Sequence, residues 1–152
     1  MMRRKEKEIA LESDQEAVIR QATICRLGLS DEGQPYIVPL CFGYSDRTLY
    51  FHGAQEGRKL DIIRNNPRVC VQFDVNTEIV QAQEGCRWGM RYRSVIGFGR
   101  ALLVDRFDEK RIALDIIMCH YSERQFDFSE QDIMRTAVIK VEIESMTGKQ
   151  SG

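Results

Sequence analysis

Runs of β-forming residues recur along this chain at hairpin spacing, and the regular strand–helix alternation that a parallel doubly wound sheet needs is missing. Such runs fill residues 22–29, 35–43, 48–53, 68–74, 78–83, 92–104 and 136–145. Ser30-Asp31-Glu32-Gly33 and Ser45-Asp46-Arg47 read as turns between the early ones. The stretch 35–43 is nearly continuously apolar, which predicts a strand buried on both faces. The longest run carries Gly97 and Gly99, marks of a bend, a bulge or a close backbone contact, and a small closed barrel needs a long curved strand. In 136–145, Ala137, Ile139, Val141 and Ile143 alternate with Lys140, Glu142 and Glu144, the pattern of a strand that closes the sheet. The expected fold is mainly β with short helices, an antiparallel barrel.

Four helical stretches interrupt the strands. Ser13-Asp14-Gln15-Glu16 has the form of a capping box for a short helix through Ala17, Val18, Ile19 and Ala22. Residues 57–66 form a second, stopped by Asn65-Asn66-Pro67. Asp105 is placed to cap a third over 107–121, with Ile112, Ala113, Ile116 and Ile117 as its apolar face. Ser129-Glu130-Gln131-Asp132 starts a last helical turn. Residues 1–12 read as a charged arm, frayed or leaning on a neighbour, and 13–152 as one domain. A chain of 152 residues can bury about two-thirds of its unfolded surface.

Twenty-two basic against 23 acidic residues give a net charge of −1, so no global field draws in nucleic acid. Five widely spaced cysteines without a C-x-x-C pair argue against a disulfide framework and a zinc site, and imply a reducing compartment. The charged start is no secretory signal, and no apolar run reaches the roughly 20 residues that span a bilayer. A cytoplasmic location, no membrane partner and no metal are expected.

The segment from Leu49 to Asp74 is chemically the most informative. It reads strand, loop, helix, strand, and its helix carries charge of the wrong sign. Arg58 and Lys59 occupy the first turn, where backbone N–H groups already make the end positive, at a cost on the order of 0.3–1 kcal/mol per cation. An anion there removes the conflict: a phosphate would accept the free N–H groups and two cations, with Gly53 and Gly57 allowing close approach. Basic residues at such corners are more often simply solvated, and both readings stand on these residues alone.

His52 ends the preceding strand and could hydrogen-bond a ligand or deliver a proton, since imidazole titrates near neutrality; the bland reading is a strand-end histidine bonded to a carbonyl. His120, at a helix C-terminus, suits the dipole and reads as structural. Pro39, Leu40 and Cys41 would lie beside 48–53 in a β-meander, where their backbone could serve a ligand while their side chains fill core.

The run from Phe51 through Phe73, with Gly57-Arg58-Lys59 and Asn65-Asn66-Pro67-Arg68-Val69, resembles the FMN-contacting segment of the pyridoxamine 5′-phosphate oxidase family. Tyr50-Phe51-His52-Gly53-Ala54, the stretch from Trp88 to Ala101 and the ending from Lys140 to Lys149 resemble more specifically the nitroimidazole-resistance (Nim-like) branch. The resemblance implies a split β-barrel that binds FMN, a homodimer with the cofactor near the interface, and a flavoprotein oxidoreductase passing electrons from a reduced nicotinamide donor to a small oxidant such as a nitroaromatic. It places Arg58 and Lys59 on the FMN phosphate and ribityl chain, the strand of Pro39, Leu40 and Cys41 at the edge of the isoalloxazine, and His52 and Gly53 beside them. Tyr92, Arg93 and Ser94 are carried over as residues that reach the flavin or its phosphate, often across the dimer interface. The chain's ending lacks the Trp and Arg elements with which pyridoxamine phosphate oxidases complete their substrate site, so the vitamin substrate is not carried over. The alternatives are a non-enzymatic haem or flavin carrier or sensor on the same fold, with His52 or His120 as axial ligand of a haem, and an adaptor whose barrel holds no cofactor.

Overall fold

The computed structural model describes residues 2–152. In chain order the regular elements are β1 (Glu8–Ile9), α1 (Glu12–Gln21), β2 (Cys25–Asp31), β3 (Gln34–Leu40), β4 (Gly43–Ser45), β5 (Thr48–Gly53), α2 (Arg58–Asn65), β6 (Arg68–Val80), β7 (Gly89–Val104), α3 (Phe107–Tyr121), α4 (Glu130–Arg135) and β8 (Ala137–Ser151). The strands form one antiparallel sheet in the order β3-β2-β6-β7-β8-β5-β4, with β1 paired to β8. Its two edge strands, β3 and β4, are joined by Cys41 and Phe42 alone. The three steps from Leu40 to Gly43 reach no more than about 11 Å, so the edges must curl toward each other, and the sheet becomes an unclosed, split barrel. The expected fold class is the one observed.

The barrel interior is built by period-2 alternation. Leu27 and Leu29 of β2, Leu49 and Phe51 of β5, Val69, Val71 and Phe73 of β6, and Val141 of β8 are all buried on one face. Burying one such side chain contributes roughly 1.5–3 kcal/mol. A second, smaller cluster of Val104, Ala113, Leu114, Ile133 and Val138 lies outside the barrel, where α3 and α4 cover β5 and β8.

Local departures have local causes. The stretch 35–43 is not buried on both faces: β3 is an edge strand with alternate residues exposed, because Pro35 and Pro39 have no N–H for a second neighbour. The runs 68–74 and 78–83 are one strand, β6, carried through a bulge between Val75 and Glu78 where Asn76 takes φ +57°. The glycine signal in β7 marks a bulge between Phe98 and Gly99. No capping box forms at Ser13; α1 starts two residues earlier, from an extended Leu11 as N-cap, with Glu12 and Asp14 suiting the first-turn dipole. Asp105 does not cap α3, whose N-cap is Arg106. The face of α3 is also rotated: Ala113, Leu114 and Ile117 pack inward while Ile112 is exposed. Ser129 does cap α4, its Oγ accepting the Asp132 N–H at 3.1 Å. The arm does not fray throughout, since Glu8 and Ile9 pair with Lys149 and Gly148 and the Gln15 amide donates to the Ile9 carbonyl at 2.8 Å.

Candidate functional site

The strand β5 ends at Gly53, a four-residue loop follows, and α2 begins at Arg58 with Gly57 as its N-cap. Gly57 has φ +153° and ψ 166°, a conformation that only glycine adopts without strain. No side chain caps this helix. Its first internal bond runs from the Asp61 N–H to the Gly57 carbonyl at 3.2 Å, leaving the N–H groups before Asp61 without intrahelical partners.

Both cations converge on this end. A methyl built on Gly53 would stand 3.2 Å from Lys59 Nζ, so the missing side chain lets the ammonium lie along the end of β5. The Arg58 guanidinium sits over the Tyr36 ring of β3, 4.5 Å from its centroid, a contact worth roughly 0.5–1 kcal/mol at an exposed site. Among the described residues neither cation lies within 4.0 Å of a carboxylate, although eight arginines elsewhere do. The acidic residue of the first turn, Asp61, is engaged by Arg64 at 3.3 Å. This geometry fits an anion of phosphate size: free N–H donors, two unpaired cations and a glycine-lined approach.

The other expected residues distribute differently. Pro39 and Leu40 pair with Arg26 and Cys25 of β2, and exposed Cys41 follows β3. They are not neighbours of β5, which pairs with β4 and β8, because the sheet order puts β3 and β5 near opposite edges; the β-meander expectation is corrected here. They do share their strand with Tyr36: Tyr36, Val38 and Leu40 lie on one face of β3, packed against the core. Tyr36 is the residue that sequence reasoning missed. Its signal was an aromatic inside a proline-flanked strand, but only folding brings it under Arg58.

His52 is exposed, whereas Phe51 before it fills the barrel. Alternation therefore sends His52 to the outer face of β5, away from the face on which Lys59 covers Gly53, and into a cavity beside α3 and α4. Tyr92, Arg93 and Ser94 are half-buried at the start of β7. Ser94 Oγ donates to the Lys149 carbonyl at 3.5 Å, and Lys149 Nζ lies 6.0 Å from the Tyr92 ring centroid. Because β8 pairs Lys149 with Ser94 and Ala137 with Gly53, these residues and the Arg58–Lys59 end are separated along β8 by on the order of 40 Å. One copy of the chain cannot bring them to a single phosphate.

His120 is structural, as expected. Its Nε2 lies 2.5 Å from the Ala22 carbonyl and its ring packs 4.3 Å from that of Phe42. Tyr121 beside it donates to the Thr23 carbonyl at 2.8 Å and accepts the Phe42 N–H at 3.0 Å; burial pushes its hydroxyl pKa up to about 12. Burial likewise raises the thiols of Cys25 and Cys70, which keeps them protonated and poor nucleophiles.

The fold and the match along the chain define the class: residues 12–150 match the pyridoxamine 5′-phosphate oxidase family, and the chain belongs to it. Among solved structures, it is similar to a candidate 5-nitroimidazole antibiotic resistance protein from Bacteroides thetaiotaomicron VPI-5482, with 38% identity, a TM-score of 0.85, and coverage of 94% of this chain and 86% of that one. An FAD-binding protein from Mesorhizobium loti is 26% identical with a TM-score of 0.68, covering 93% of this chain and 96% of the other. The flavocytochrome Anf3 from Azotobacter vinelandii shares the fold at 20% identity and a TM-score of 0.87, over 100% of this chain and 72% of that one. A curated protein of uncharacterised function from Rhizobium meliloti (strain 1021) is 35% identical over 58 residues, 38% of this chain and 38% of that protein. Among the described residues no helix is long and apolar enough to cross a membrane.

Proposed function

We propose that this protein is an FMN-dependent oxidoreductase that works as a homodimer, passing electrons from a reduced nicotinamide donor to a small oxidant such as a nitroaromatic. The observation that carries this reading is the pair of unpaired cations, Arg58 and Lys59, at an uncapped helix start between Gly53 and Gly57. Bound flavin supplies the redox chemistry, accepting hydride and giving electrons up to an acceptor. The chain's own residues hold and orient it. Arg58 and Lys59 take the phosphate, and Tyr36 keeps the guanidinium in place. The face of β3 that carries Tyr36, Val38 and Leu40 offers an apolar wall, and the Pro39 and Cys41 backbone offers polar groups at its end. His52 faces the other side of β5, away from Lys59, and takes no part in holding the flavin phosphate.

The dimer rests on two observations. The outer sheet face exposes Ile37, Ile96 and Phe98 to water, an apolar stripe that no other part of a single copy covers among the described residues. The distance between Arg58 and the Tyr92–Ser94 group means that both can touch one cofactor only if they come from different copies. Sedimentation of the protein and of Phe98→Glu tests this, with a dimer expected for the first and a monomer for the second.

Purified protein should be yellow, and acid release followed by chromatography should return FMN, after which NAD(P)H oxidation with nitro acceptors can be assayed. Release of FAD would keep the flavoprotein and replace the cofactor, as the Mesorhizobium loti relative would favour. A Soret band would favour a haem carrier. A colourless chain that ignores added FMN would refute the reading.

A further inference from the structure

We propose that the cavity between β5, α3 and α4 is a binding site for a small apolar amino acid, or a zwitterion of that size and shape. The cavity measures about 350 Å³, at the small end of the range for small-molecule sites. Its floor is apolar: Leu114 and Ile117 of α3 are buried, and Met118 and Phe128 are half-buried beside them. Its rim carries His52, Asp132, Arg135 and Thr136.

The rim decides the ligand class. Asp132 and Arg135 stand three residues apart on α4, close enough to share one face, yet they form no ion pair with each other or with any other described residue. Among the described residues neither side chain makes a hydrogen bond; the bonds at Asp132 use its backbone alone. A carboxylate on the ligand would satisfy the Arg135 fork and an ammonium would satisfy Asp132, while an aliphatic or aromatic body fills the floor. A simple anion would meet the Asp132 carboxylate, and a simple cation the Arg135 guanidinium. The rim is held in place independently of any ligand. Ile133 is buried, Ser129 caps α4, and Gln55 Nε2 donates to the Met134 carbonyl at 2.6 Å.

This site lies on the face of β5 opposite Lys59 and holds whether or not flavin binds. Calorimetric titration of the full chain, with and without FMN, would use L-leucine, L-methionine and L-phenylalanine. Their single-headed analogues 4-methylpentanoate and 3-methylbutylamine complete the series. At least one amino acid should bind, with the analogues about tenfold weaker or worse, the loss of one charge-assisted contact. Arg135→Ala and Asp132→Asn, both exposed, should each weaken that amino acid about tenfold and leave FMN retention unchanged. Absence of binding by all three amino acids up to about 10 mM, or equal affinity in Arg135→Ala, overturns the proposal. FMN retention read in the same samples separates its failure from a failure of the flavin reading.

Discussion

The arginines of the outer sheet face and the cations at the start of α2 are equally charged and differ in what faces them. On the sheet, Arg26 Nη1 lies 2.6 Å from Asp74 Oδ1 and 3.2 Å from Gln72 Oε1, and Arg68 Nη1 reaches both oxygens of Glu144 at 2.8 and 3.1 Å. Those charges are neutralised by cross-strand neighbours and need nothing from outside. At α2, Arg58 leans on an aromatic ring and Lys59 lies over Gly53, and among the described residues neither finds a carboxylate. Cations that the fold holds at an uncapped helix start without neutralising them are free to meet an anionic ligand, which is the role the proposed function gives these two.

The contrast can be broken most severely by Arg58→Ala with Lys59→Ala, which should lower FMN affinity by more than about a hundredfold while circular dichroism stays native; two charge-assisted contacts are lost at roughly 1.5–3 kcal/mol each. Gly57→Ala should cost about 1–3 kcal/mol of stability in urea and weaken FMN as well, because φ +153° is strained for an L-residue even though the space beside it is open. Alkali should act away from both regions, in the barrel core and where β4 meets α1. The Tyr44 hydroxyl, desolvated and donating to Glu16 at 2.8 Å, and the buried Cys25 thiol both have raised pKa values. The folded state thus holds protons that the unfolded chain releases near pH 9–10, so stability should be complete below that window and fall as pH rises through it. Tyr44→Phe should flatten part of this decline in pH-dependent urea melts. Arg26→Ala and Arg68→Ala should do least: these pairs are half-exposed in a single copy, each should cost under about 1 kcal/mol of its stability, and FMN retention should not change so long as sedimentation still shows a dimer, since both lie on the sheet face of Ile96 and Phe98. A loss of flavin from either sheet variant would show that the two regions are not distinct.

Period-2 alternation with turn signals in between was enough for an antiparallel barrel, and the glycines of β7 announced its bulge, because those signals act between near neighbours in the chain. The charge conflict at Arg58 and Lys59 was legible for the same reason, since a helix dipole and its first turn are local. Other features depend on distant partners. The prolines of β3 only became an edge once the sheet order was known. Asp105 looked like a cap, but the chain enters α3 through Arg106. The helix face appeared to include Ile112, but α3 meets the barrel with Ala113, Leu114 and Ile117.

By itself, then, the chain's order of residues determined most of the secondary structure, the barrel class and the charge conflict at the start of α2, each written in contacts a few residues apart. Tertiary structure alone decided that Tyr36 supports Arg58, that His52 turns away from Lys59, and that Tyr92 to Ser94 stand at the far end of β8. Those facts depend on sheet order and on which face of a strand looks inward, and a one-residue change of register would reverse them.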